Sequence, residues 1–322
     1  MTTLVTGAAG FIGSHLSKRL EDTKNNLVLT DNFIRGKQEY LDYLGVTTEC
    51  IPAELTDYEH ALYLTKSVDT VFHCACRIGG MQFLHGTPKK ELYALQENLA
   101  IDNNIFRACI ENKVKKIIYT SSVSVYNTNL QNTTRTFFSE SDLEIDKLVP
   151  EGGYGWAKFI GEKQLEFLSK AKVKVGVARI FKSYGPCDDY SVESGQVVCS
   201  LFRKAMDSRA QFTVWGDGSV ERSLVYIDDL VDALILLSKE IDYGSLTVNI
   251  GGEESISMKR LAKEIKKLTG VNKVIKYYKK KPAGPKNRIP NLSLAKETLN
   301  WEPKIPLNTG LRRTHKWMKK CM

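Results

Sequence analysis

The chain has 322 residues, of which 42% are hydrophobic and 26% charged; this is ordinary for a globular protein and sufficient for one large domain or two lobes. The longest apolar run, near Leu234–Leu237, is too short to span a membrane, and the first residues read as structure, so we expect no signal peptide. Much of the net charge of +9 lies in basic runs near the end, which no nucleic-acid motif accompanies and which are interpreted as solvated faces.

The first half of the chain alternates predicted strands with predicted helices. Apolar or β-branched runs predict strands, and amphipathic or long periodic stretches predict helices. In chain order they are strand Leu4–Thr6, helix Ser14–Leu20, strands Leu27–Thr30 and Val68–Ala75, helix Lys89–Asn112, strand Lys116–Ser121, helix Tyr154–Lys170 and strand Val173–Ile180. This order predicts an α/β fold with a Rossmann-type doubly wound parallel sheet.

The second half is less regular. Its predicted elements are helices Ser194–Asp207 and Asp228–Lys239, strands Val225–Ile227 and Leu246–Ile250, a helix from Ser257 to about Leu268, a loop Pro282–Pro290 and a last helix after Pro306. We therefore expect a dinucleotide-binding type of Rossmann domain over residues 1–180 and a smaller C-terminal α/β lobe over 181–322 that completes the ligand site, with an interleaved boundary. Ligands bind such sheets in the crevice at the carboxyl ends of the strands.

A glycine-rich turn joins the first predicted strand to the first predicted helix. The turn contains Gly7, Gly10 and Gly13. One of these glycines permits the tight turn, another lets the backbone approach a pyrophosphate, and the third allows close helix–strand packing. The helix N-terminus then offers unpaired N–H groups to phosphates. Asp31 closes the second strand, where a carboxylate hydrogen-bonds ribose hydroxyls and repels a 2′-phosphate. The pattern favours NAD, while the nearby Arg35 leaves NADP open.

Tyr154 and Lys158 form a Y-x-x-x-K motif in a predicted helix. Their spacing places both side chains on one helix face. An ammonium beside a phenol favours the phenolate and lowers its pKa, so Tyr154 could take a proton from a substrate alcohol while hydride passes to NAD. Lys158 would also hold the nicotinamide ribose. These residues predict NAD-dependent hydride chemistry on an alcohol.

The segment Thr6–Gly13 resembles the signature of the extended short-chain dehydrogenase/reductases, which are mostly nucleotide-sugar epimerases, dehydratases and decarboxylases. The resemblance covers nearly the whole chain. It implies that Ser122, at the end of the fifth strand, completes the catalytic set with Tyr154 and Lys158 by hydrogen-bonding the reacting sugar oxygen. It also implies a set of contacts to NAD: Gly7, Gly10, Phe11, Ile12, Gly13, Asp31, Asn32, Glu54, Leu55, Cys74, Ala75, Cys76, Asn98, Ser121, Tyr154, Lys158 and Phe181.

The two positions after Ser122 help to select the reaction in the resembled family. Its dehydratases carry Asp-Glu there, its decarboxylating members have a glutamate at the second position, and its GDP-mannose 3,5-epimerases have a cysteine at that second position. This chain has Val123 and Ser124, and a serine without an activator is a poor carbon base. The resemblance then implies oxidation of a ring alcohol at C4, by a 4-dehydrogenase or a 4-epimerase.

Several segments are similar to the GDP-mannose 3,5-epimerases, namely Arg77–Phe83, Trp215–Gly218 with Arg222–Ser223, and Gly310–Trp317. This similarity implies a GDP-manno-configured sugar, GDP-mannose or GDP-manno-heptose. Two departures stand out, because Lys182 replaces the usual asparagine and the loop Cys187–Glu193 lacks the lysine that the 3,5-epimerases use as an acid. The implied substrate contacts are Gly80, Met81, Ser122, Ser124, Lys182, Arg222 and Arg288.

Two other interpretations stay open at this point. One is a UDP-sugar 4-epimerase, and the other is a non-catalytic dinucleotide-sensing or RNA-binding member of the fold, which the presence of all three catalytic residues disfavours. In the family, helices corresponding to Lys89–Asn112 and Tyr154–Lys170 pair with their copies, so we expect a homodimer or a dimer of dimers. The seven irregularly spaced cysteines indicate reduced thiols in a cytoplasmic protein, with no metal site, and we expect neither nucleic acid nor membrane as a partner.

Overall fold

A computed structural model describes residues 1–23, 26–79, 86–131, 137–143, 145–191, 195–281 and 284–322. The strands in these ranges are β1 Thr2–Thr6, β2 Asn26–Asp31, β3 Cys50–Pro52, β4 Thr70–His73, β5 Lys116–Ser122, β6 Lys174–Ile180, β7 Ser183–Tyr184, β8 Thr213–Trp215, β9 Glu221–Ser223, β10 Val225–Tyr226, β11 Ser245–Ile250, β12 Ser255–Ser257 and β13 Lys276–Tyr278. The α-helices are α1 Phe11–Asp22, α2 Gln38–Leu44, α3 Tyr58–Leu64, α4 Pro88–Glu111, α5 Thr128–Gln131, α6 Gly152–Lys170, α7 Val197–Met206, α8 Ile227–Glu240, α9 Met258–Thr269, α10 Ser293–Leu299 and α11 Leu307–Cys321.

Seven strands form one parallel sheet in the order β11-β6-β5-β4-β1-β2-β3. Alternate residues of each strand enter opposite cores, since side chains alternate across a sheet. In β1, Leu4 faces the core beneath α3, α4 and α6, whereas Val5 faces the larger core beneath α1 and α8. Both faces of the sheet are therefore covered, and the predicted doubly wound α/β fold is confirmed.

The second half of the chain contributes to this same sheet. Strand β11 pairs with β6 at the sheet edge, and α8 packs on β5 and β6. Both elements lie in the residue range predicted for the C-terminal lobe, yet they are part of the main sheet and its covering helices. The remaining second-half strands form two-stranded pairs, β10 with β7, β12 with β9 and β13 with β8. The predicted C-terminal lobe therefore contributes a strand and a helix to the structure of the main sheet.

Most predicted elements occur close to their predicted bounds, and the exceptions have local causes. The strand predicted over Val68–Ala75 is shorter, because Val68 closes a turn with its N–H donating to the carbonyl of Thr65 and the strand begins at Thr70. Ser257 caps α9 as predicted, its hydroxyl accepting from the N–H of Arg260. Strand β3 and helices α2 and α3 were absent from the prediction because short half-exposed segments carry weak periodicity.

The glycine turn after β1 is shaped by two steric constraints. Gly7 has φ +66°, a left-handed conformation that favours glycine, and a Cβ there would lie 2.8 Å from backbone atoms of Ala75. A Cβ on Gly13 would lie 2.0 Å from the carbonyl oxygen of Gly7, so α1 can approach β1 only because residue 13 has no side chain. Gly7 therefore makes the turn and Gly13 the close helix–strand packing.

We predict that Gly13→Ala lowers the free energy of unfolding by about 3 kcal/mol or more, because α1 must move away from β1. Urea denaturation followed by circular dichroism measures the change. Gly10→Ala is the matched control: its Cβ would lie 3.1 Å from the carbonyl oxygen of Gly7 at a helix N-cap with φ −78°, so the loss should be about 1 kcal/mol or less. Equal losses in the two variants would contradict this explanation.

Candidate functional site

A cleft lies at the carboxyl ends of the central strands, where the chain leaves β1, β2, β4, β5 and β6. Strand order reverses between β1 and β4, and open α/β sheets bind ligands at such a point. Most of the predicted site residues line this one cleft: Gly7, Gly10, Phe11, Ile12, Gly13, Asp31, Asn32, Glu54, Leu55, Cys74, Ala75, Cys76, Ser121, Ser122, Ser124, Tyr154, Phe181, Lys182 and Arg288.

The other predicted site residues lie elsewhere. Asn98 is buried behind the cleft wall, where its amide accepts from the N–H of Arg77 at 2.8 Å and donates to the carbonyl of Arg77 at 2.9 Å; it holds the 74–79 segment in place. Lys158 lies beneath the floor of the cleft, and Arg222 sits behind its wall with its guanidinium donating to the carbonyl of Glu221 at 2.7 Å. Gly80 and Met81 lie outside the described residues.

Asp31 sits where the prediction needs a carboxylate. It is 8% exposed and accepts from the N–H groups of Ala9 at 3.0 Å and Phe33 at 2.8 Å. Burial raises its pKa, and the backbone N–H groups oppose that shift. A Cβ on Gly36 would lie 2.6 Å from the Asp31 carboxylate oxygens, so the backbone covers this side chain closely. The carboxylate is therefore fixed at the end of β2.

Arg35 is the residue whose position in the sequence kept NADP as an alternative cofactor. Its guanidinium is bonded to residues other than Asp31. Its guanidinium donates to Asp189 Oδ2 at 2.8 Å and also to the carbonyl oxygen of Ile78. It thereby joins the β2 loop to the segments after β4 and β7. A guanidinium held by these acceptors is not placed to receive a 2′-phosphate, which favours NAD.

Tyr154 and Ser122 meet at the floor of the cleft. Ser122, at the end of β5, hydrogen-bonds the Tyr154 hydroxyl, and Tyr154 lies in the first turns of α6 with 5% of its surface exposed. The predicted lowering of the tyrosine pKa is wrong for the protein by itself: burial raises the pKa of Tyr154 well above its usual value, and the bond from Ser122 only opposes that rise. The reason is desolvation, which penalises a phenolate in a buried site.

Lys158 is a buried cation whose ammonium has no hydrogen-bond partner within the described part of the chain. It lies 4.3 Å from the centroid of the Tyr119 ring, so an aromatic face gives part of the stabilisation that water would supply. An unpaired buried ammonium with three donors matches a ligand that brings hydroxyl groups. Together with the glycine turn and Asp31, it shows that these residues fit a dinucleotide.

A buried polar network that sequence reasoning missed supports Lys158 from below. Tyr119 donates to Asp102 Oδ2 at 2.6 Å, Asp102 Oδ1 lies 3.0 Å from His73 Nε2, and His73 Nδ1 lies 2.7 Å from Thr6 Oγ1. Burial lowers the pKa of His73, so the network holds a neutral imidazole. Polar residues in the middle of predicted strands and of a predicted helix were the only available signal.

Ser124 has a partner that the sequence did not reveal. Its hydroxyl donates to Glu151 Oε2 at 2.8 Å, and both residues are buried. The same carboxylate oxygen lies 2.5 Å from an Arg288 guanidinium nitrogen, and Arg288 Nε donates to Gln131 Oε1 at 2.6 Å. Arg288 thus lines the cleft as predicted, and it does so as part of an ion pair.

Lys182 projects into the cleft beside this group. Its ammonium hydrogen-bonds the Gln196 side chain, and burial lowers its pKa while the negative charge of Asp188 raises it. Asp188 also lines the cleft, and burial raises its pKa. Arg222 and Arg288 lower the pKa of Lys182 further through charge repulsion. This part of the cleft thus carries the cationic side chains of Lys182 and Arg288, which suit a phosphorylated ligand.

The described residues contain no group of three or more His, Cys, Asp or Glu side chains that could hold a metal ion. No helix in those ranges is long and apolar enough to cross a membrane. All the cysteines are free thiols.

Comparisons with known proteins agree with this geometry. Residues 3–251 match the model of the NAD dependent epimerase/dehydratase family. GDP-mannose 3,5-epimerase 1 of Oryza sativa subsp. indica is 31% identical over 316 residues, which cover 98% of this chain and 81% of the relative. Two solved structures are similar over the whole chain and nearly all of their own length. They are the UDP-glucose 4-epimerase of Thermotoga maritima (TM-score 0.88, 28% identity, 99% of its chain) and the UDP-glucuronic acid 4-epimerase of Bacillus cereus with UDP-glucuronic acid and NAD (TM-score 0.87, 26% identity, 100%).

We predict that Asp31→Ala weakens NAD binding about 10- to 100-fold and removes most of the preference over NADP, because the variant loses a charged hydrogen-bond acceptor and a charge that repels a 2′-phosphate. Calorimetric titration of both cofactors measures it. Asp57→Asn is the control, since Asp57 caps α3 away from the cleft and should leave both affinities unchanged. A native protein that prefers NADP would show that the role given to Asp31 is wrong.

Proposed function

Because the chain belongs to the NAD dependent epimerase/dehydratase family, whose members act on nucleotide sugars, we propose that it oxidises the C4 alcohol of a GDP-manno-configured sugar. GDP-mannose and GDP-manno-heptose are the two sugars that we propose. The product is a C4-keto sugar if the enzyme is a 4-dehydrogenase, or the C4-inverted sugar if it is a 4-epimerase. The observation that carries the proposal is the Ser122–Tyr154 hydrogen bond above the buried Lys158.

The catalytic residues divide the proton chemistry between them. Tyr154 takes the proton of the C4 alcohol, and Ser122, whose side chain hydrogen-bonds the Tyr154 hydroxyl, orients the alcohol by a hydrogen bond of its own to the reacting oxygen. Lys158, one helical turn from Tyr154, contributes a buried positive charge and three donors for ribose hydroxyls. When bound, NAD would supply the acceptor for the hydride from C4, and the glycine turn, Asp31 and Lys158 would hold it. Its positive nicotinamide would favour the phenolate that burial alone disfavours.

Position 124 supports a reaction confined to C4. The Ser124 hydroxyl donates to Glu151, and Arg288 pairs with the same carboxylate, which weakens the carboxylate as a base. A serine hydroxyl in this setting is far too weakly acidic to remove a hydrogen from carbon. Lys182, the activator conceivable from sequence, hydrogen-bonds Gln196 instead. These contacts argue against epimerisation at C3 or C5.

The choice of a GDP-manno-configured sugar rests on two observations. The chain is similar over almost its whole length to a protein described as a GDP-mannose 3,5-epimerase. Lys182 and Arg288 line the substrate end of the cleft, where their positive charges suit a diphosphate. The guanidinium of Arg222 lies just behind them; burial lowers the pKa of Arg222 to about 9.

A UDP-sugar 4-epimerase is the second candidate. The observation that favours it is structural, since solved UDP-sugar 4-epimerases superpose on the entire chain. Both candidates use Ser122, Tyr154 and Lys158 in the same way. They differ in the nucleotide and in whether the keto sugar leaves the site.

The test of the C4 reaction is a deuterium experiment. The protein is incubated in D₂O with NAD and either GDP-mannose or GDP-manno-heptose, and the recovered sugar is analysed by NMR. We predict a C4-keto or C4-inverted sugar, or NADH, with no deuterium at C3 or C5, because Ser124, which stands at the position of the family's carbon base, donates its proton to Glu151. Tyr154→Phe is the matched control and should bind NAD normally while turnover falls about 10²-fold or more.

The alternative outcomes are distinct. Deuterium at C3 or C5 on the turnover timescale would show a carbon base and make the protein a 3,5-epimerase. Turnover of UDP-glucose without turnover of either GDP-sugar would establish the second candidate. Dependence on an added keto acid that regenerates NAD would favour the dehydrogenase over the epimerase.

We further propose that the protein forms a dimer through α4 and α6. These two helices pack side by side and carry a group of exposed large apolar side chains: Leu92, Tyr93, Ile110, Trp156 and Phe167. Trp156 and Phe167 are separated by about three helical turns and so share one side of α6. An exposed apolar face of this kind is typical of a protein–protein interface.

We predict a dimer mass by light scattering at micromolar concentration and a shift to monomer in Phe167→Asp, because the variant buries a charge in the interface. Tyr243→Asp is the control: Tyr243 is 93% exposed and lies outside both helices, so the dimer should persist. A native protein of monomer mass would refute the proposal.

A further inference from the structure

Ser122 lies between two serines that are each bound to a buried carboxylate. On one side, Ser121 donates to Glu162 Oε1 at 2.5 Å, and Glu162 pairs with Arg179 at 2.7 Å. On the other side, Ser124 donates to Glu151 at 2.8 Å, and Glu151 pairs with Arg288 at 2.5 Å. Each side is thus a serine–glutamate–arginine triad, and the end of β5 is held between them.

The two triads differ in how they meet the cleft. Glu162 and Arg179 do not line it, and the Arg179 guanidinium also donates to the carbonyl of Glu140 at 2.9 Å, deep in the protein. In the second triad, Ser124 and Arg288 both line the cleft, while Glu151 lies behind them with 2% of its surface exposed. The Glu151 triad therefore presents two side chains to a ligand, and the Glu162 triad presents only Ser121.

The backbone holds Ser124 as firmly as the side chain does. The N–H of Glu151 donates to the carbonyl of Ser124 at 2.9 Å, so the residue before α6 is bonded to Ser124 twice. A Cβ on Gly155 would lie 2.5 Å from that carbonyl oxygen, which shows how closely the first turn of α6 covers it. Tyr154 lies in the same turn. The geometry at Ser124 and the position of Tyr154 are consequently linked through Glu151.

The direction of the Ser124–Glu151 hydrogen bond determines whether Ser124 can donate to a ligand or only accept from it. A serine hydroxyl has one proton and two acceptor lone pairs. Since the proton is directed to the carboxylate, the oxygen can only accept from the cleft side. A sugar hydroxyl can donate to it, whereas a keto oxygen or a fluorine cannot.

We propose that Glu151 is a positioning residue that makes Ser124 a hydrogen-bond acceptor for a sugar hydroxyl beside the reacting carbon and holds Arg288 at the substrate. This inference rests on the proposed function, since it takes a nucleotide sugar as the ligand. Glu151 itself touches neither sugar nor cofactor. Its effect reaches the substrate through Ser124 and Arg288.

The experiment compares Glu151→Gln, Ser124→Ala and the double variant in the full-length protein. Glutamine has the shape of glutamate without its charge, so it releases Arg288 and no longer requires the serine proton. We expect the KM for the nucleotide sugar to rise about tenfold in Ser124→Ala and at least as much in Glu151→Gln, which also releases Arg288. The double variant should be hardly worse than Glu151→Gln, because Ser124 acts through its bond to Glu151. The Kd for NAD, measured by calorimetry, should change less than about twofold, because the glycine turn and Asp31 come from β1 and β2, whereas Glu151 contacts Ser124 and Arg288.

Asp229→Asn controls for the loss of a buried carboxylate. Asp229 is 4% exposed in α8 and accepts from the N–H of Ile305 at 2.9 Å, outside the cleft. The Asp229→Asn variant should have a lower Tm and an unchanged KM for the sugar. A wild-type KM in Glu151→Gln, or additive effects in the double variant, would overturn the proposal.

A second measurement covers the case in which Glu151→Gln does not fold. Ser124→Ala keeps the Glu151–Arg288 ion pair, and it can be compared with the native protein on GDP-mannose analogues that each lack one hydroxyl. One analogue should abolish the roughly tenfold difference between the two proteins, because the missing hydroxyl is the donor to Ser124. If every analogue preserves the difference, the proposal is wrong. If GDP-mannose itself does not bind in calorimetry, the proposed substrate fails instead, and UDP-sugar analogues then test the same contact.

Discussion

The buried ammonium of Lys158 is the constraint on which the site depends. A cation removed from water is costly unless the protein or a ligand replaces its hydration. Here the face of the Tyr119 ring replaces part of it, at 4.3 Å, while the hydrogen-bond donors of the ammonium are left for a ligand. The buried ammonium, one helical turn from Tyr154, is therefore suited to a ligand that brings hydroxyl groups.

Keeping that ammonium in place requires a rigid support, and the polar network below supplies it. Tyr119, Asp102, His73 and Thr6 come from three adjacent strands and from α4, and their hydrogen bonds of 2.6 to 3.0 Å cross the sheet. Each polar atom in the chain from Tyr119 to Thr6 has a partner, so the network can be buried without an unsatisfied group. The Tyr119 ring is therefore held at one position, and Lys158 with it.

The hydroxyl groups of Tyr154, Ser122 and Ser124 differ in whether each can give up or accept a proton. Burial raises the pKa of Tyr154, so the base role proposed for Tyr154 calls for a nearby positive charge, such as that of a bound nicotinamide. The Ser124 hydroxyl donates its proton to Glu151 in a hydrogen bond, so Ser124 takes no part in the proposed proton transfer. In the proposed reaction, the hydroxyl pair of Ser122 and Tyr154 serves the reacting alcohol. The proposal thus assigns hydride transfer without C3 or C5 chemistry to a chain that is similar to a GDP-mannose 3,5-epimerase.

The sequence by itself determined the fold class and the dinucleotide half of the site. The buried strands carry continuous apolar runs, and Gly7, Gly10, Gly13 and Asp31 lie at fixed spacings within one βαβ unit, where local chemistry dictates position. Tertiary structure decided the substrate half. Gln196 and Asp188 line the cleft from segments far along the chain, and Glu151 lies buried behind Ser124 and Arg288. Nothing in their neighbours along the chain distinguishes them from surface residues. Whether Arg35 faces a ribose or Asp189, and whether Ser124 meets Lys182 or Glu151, depends on which loops the fold brings together. Such pairings arise from packing across the sheet edge, for which a single sequence carries no periodic signal.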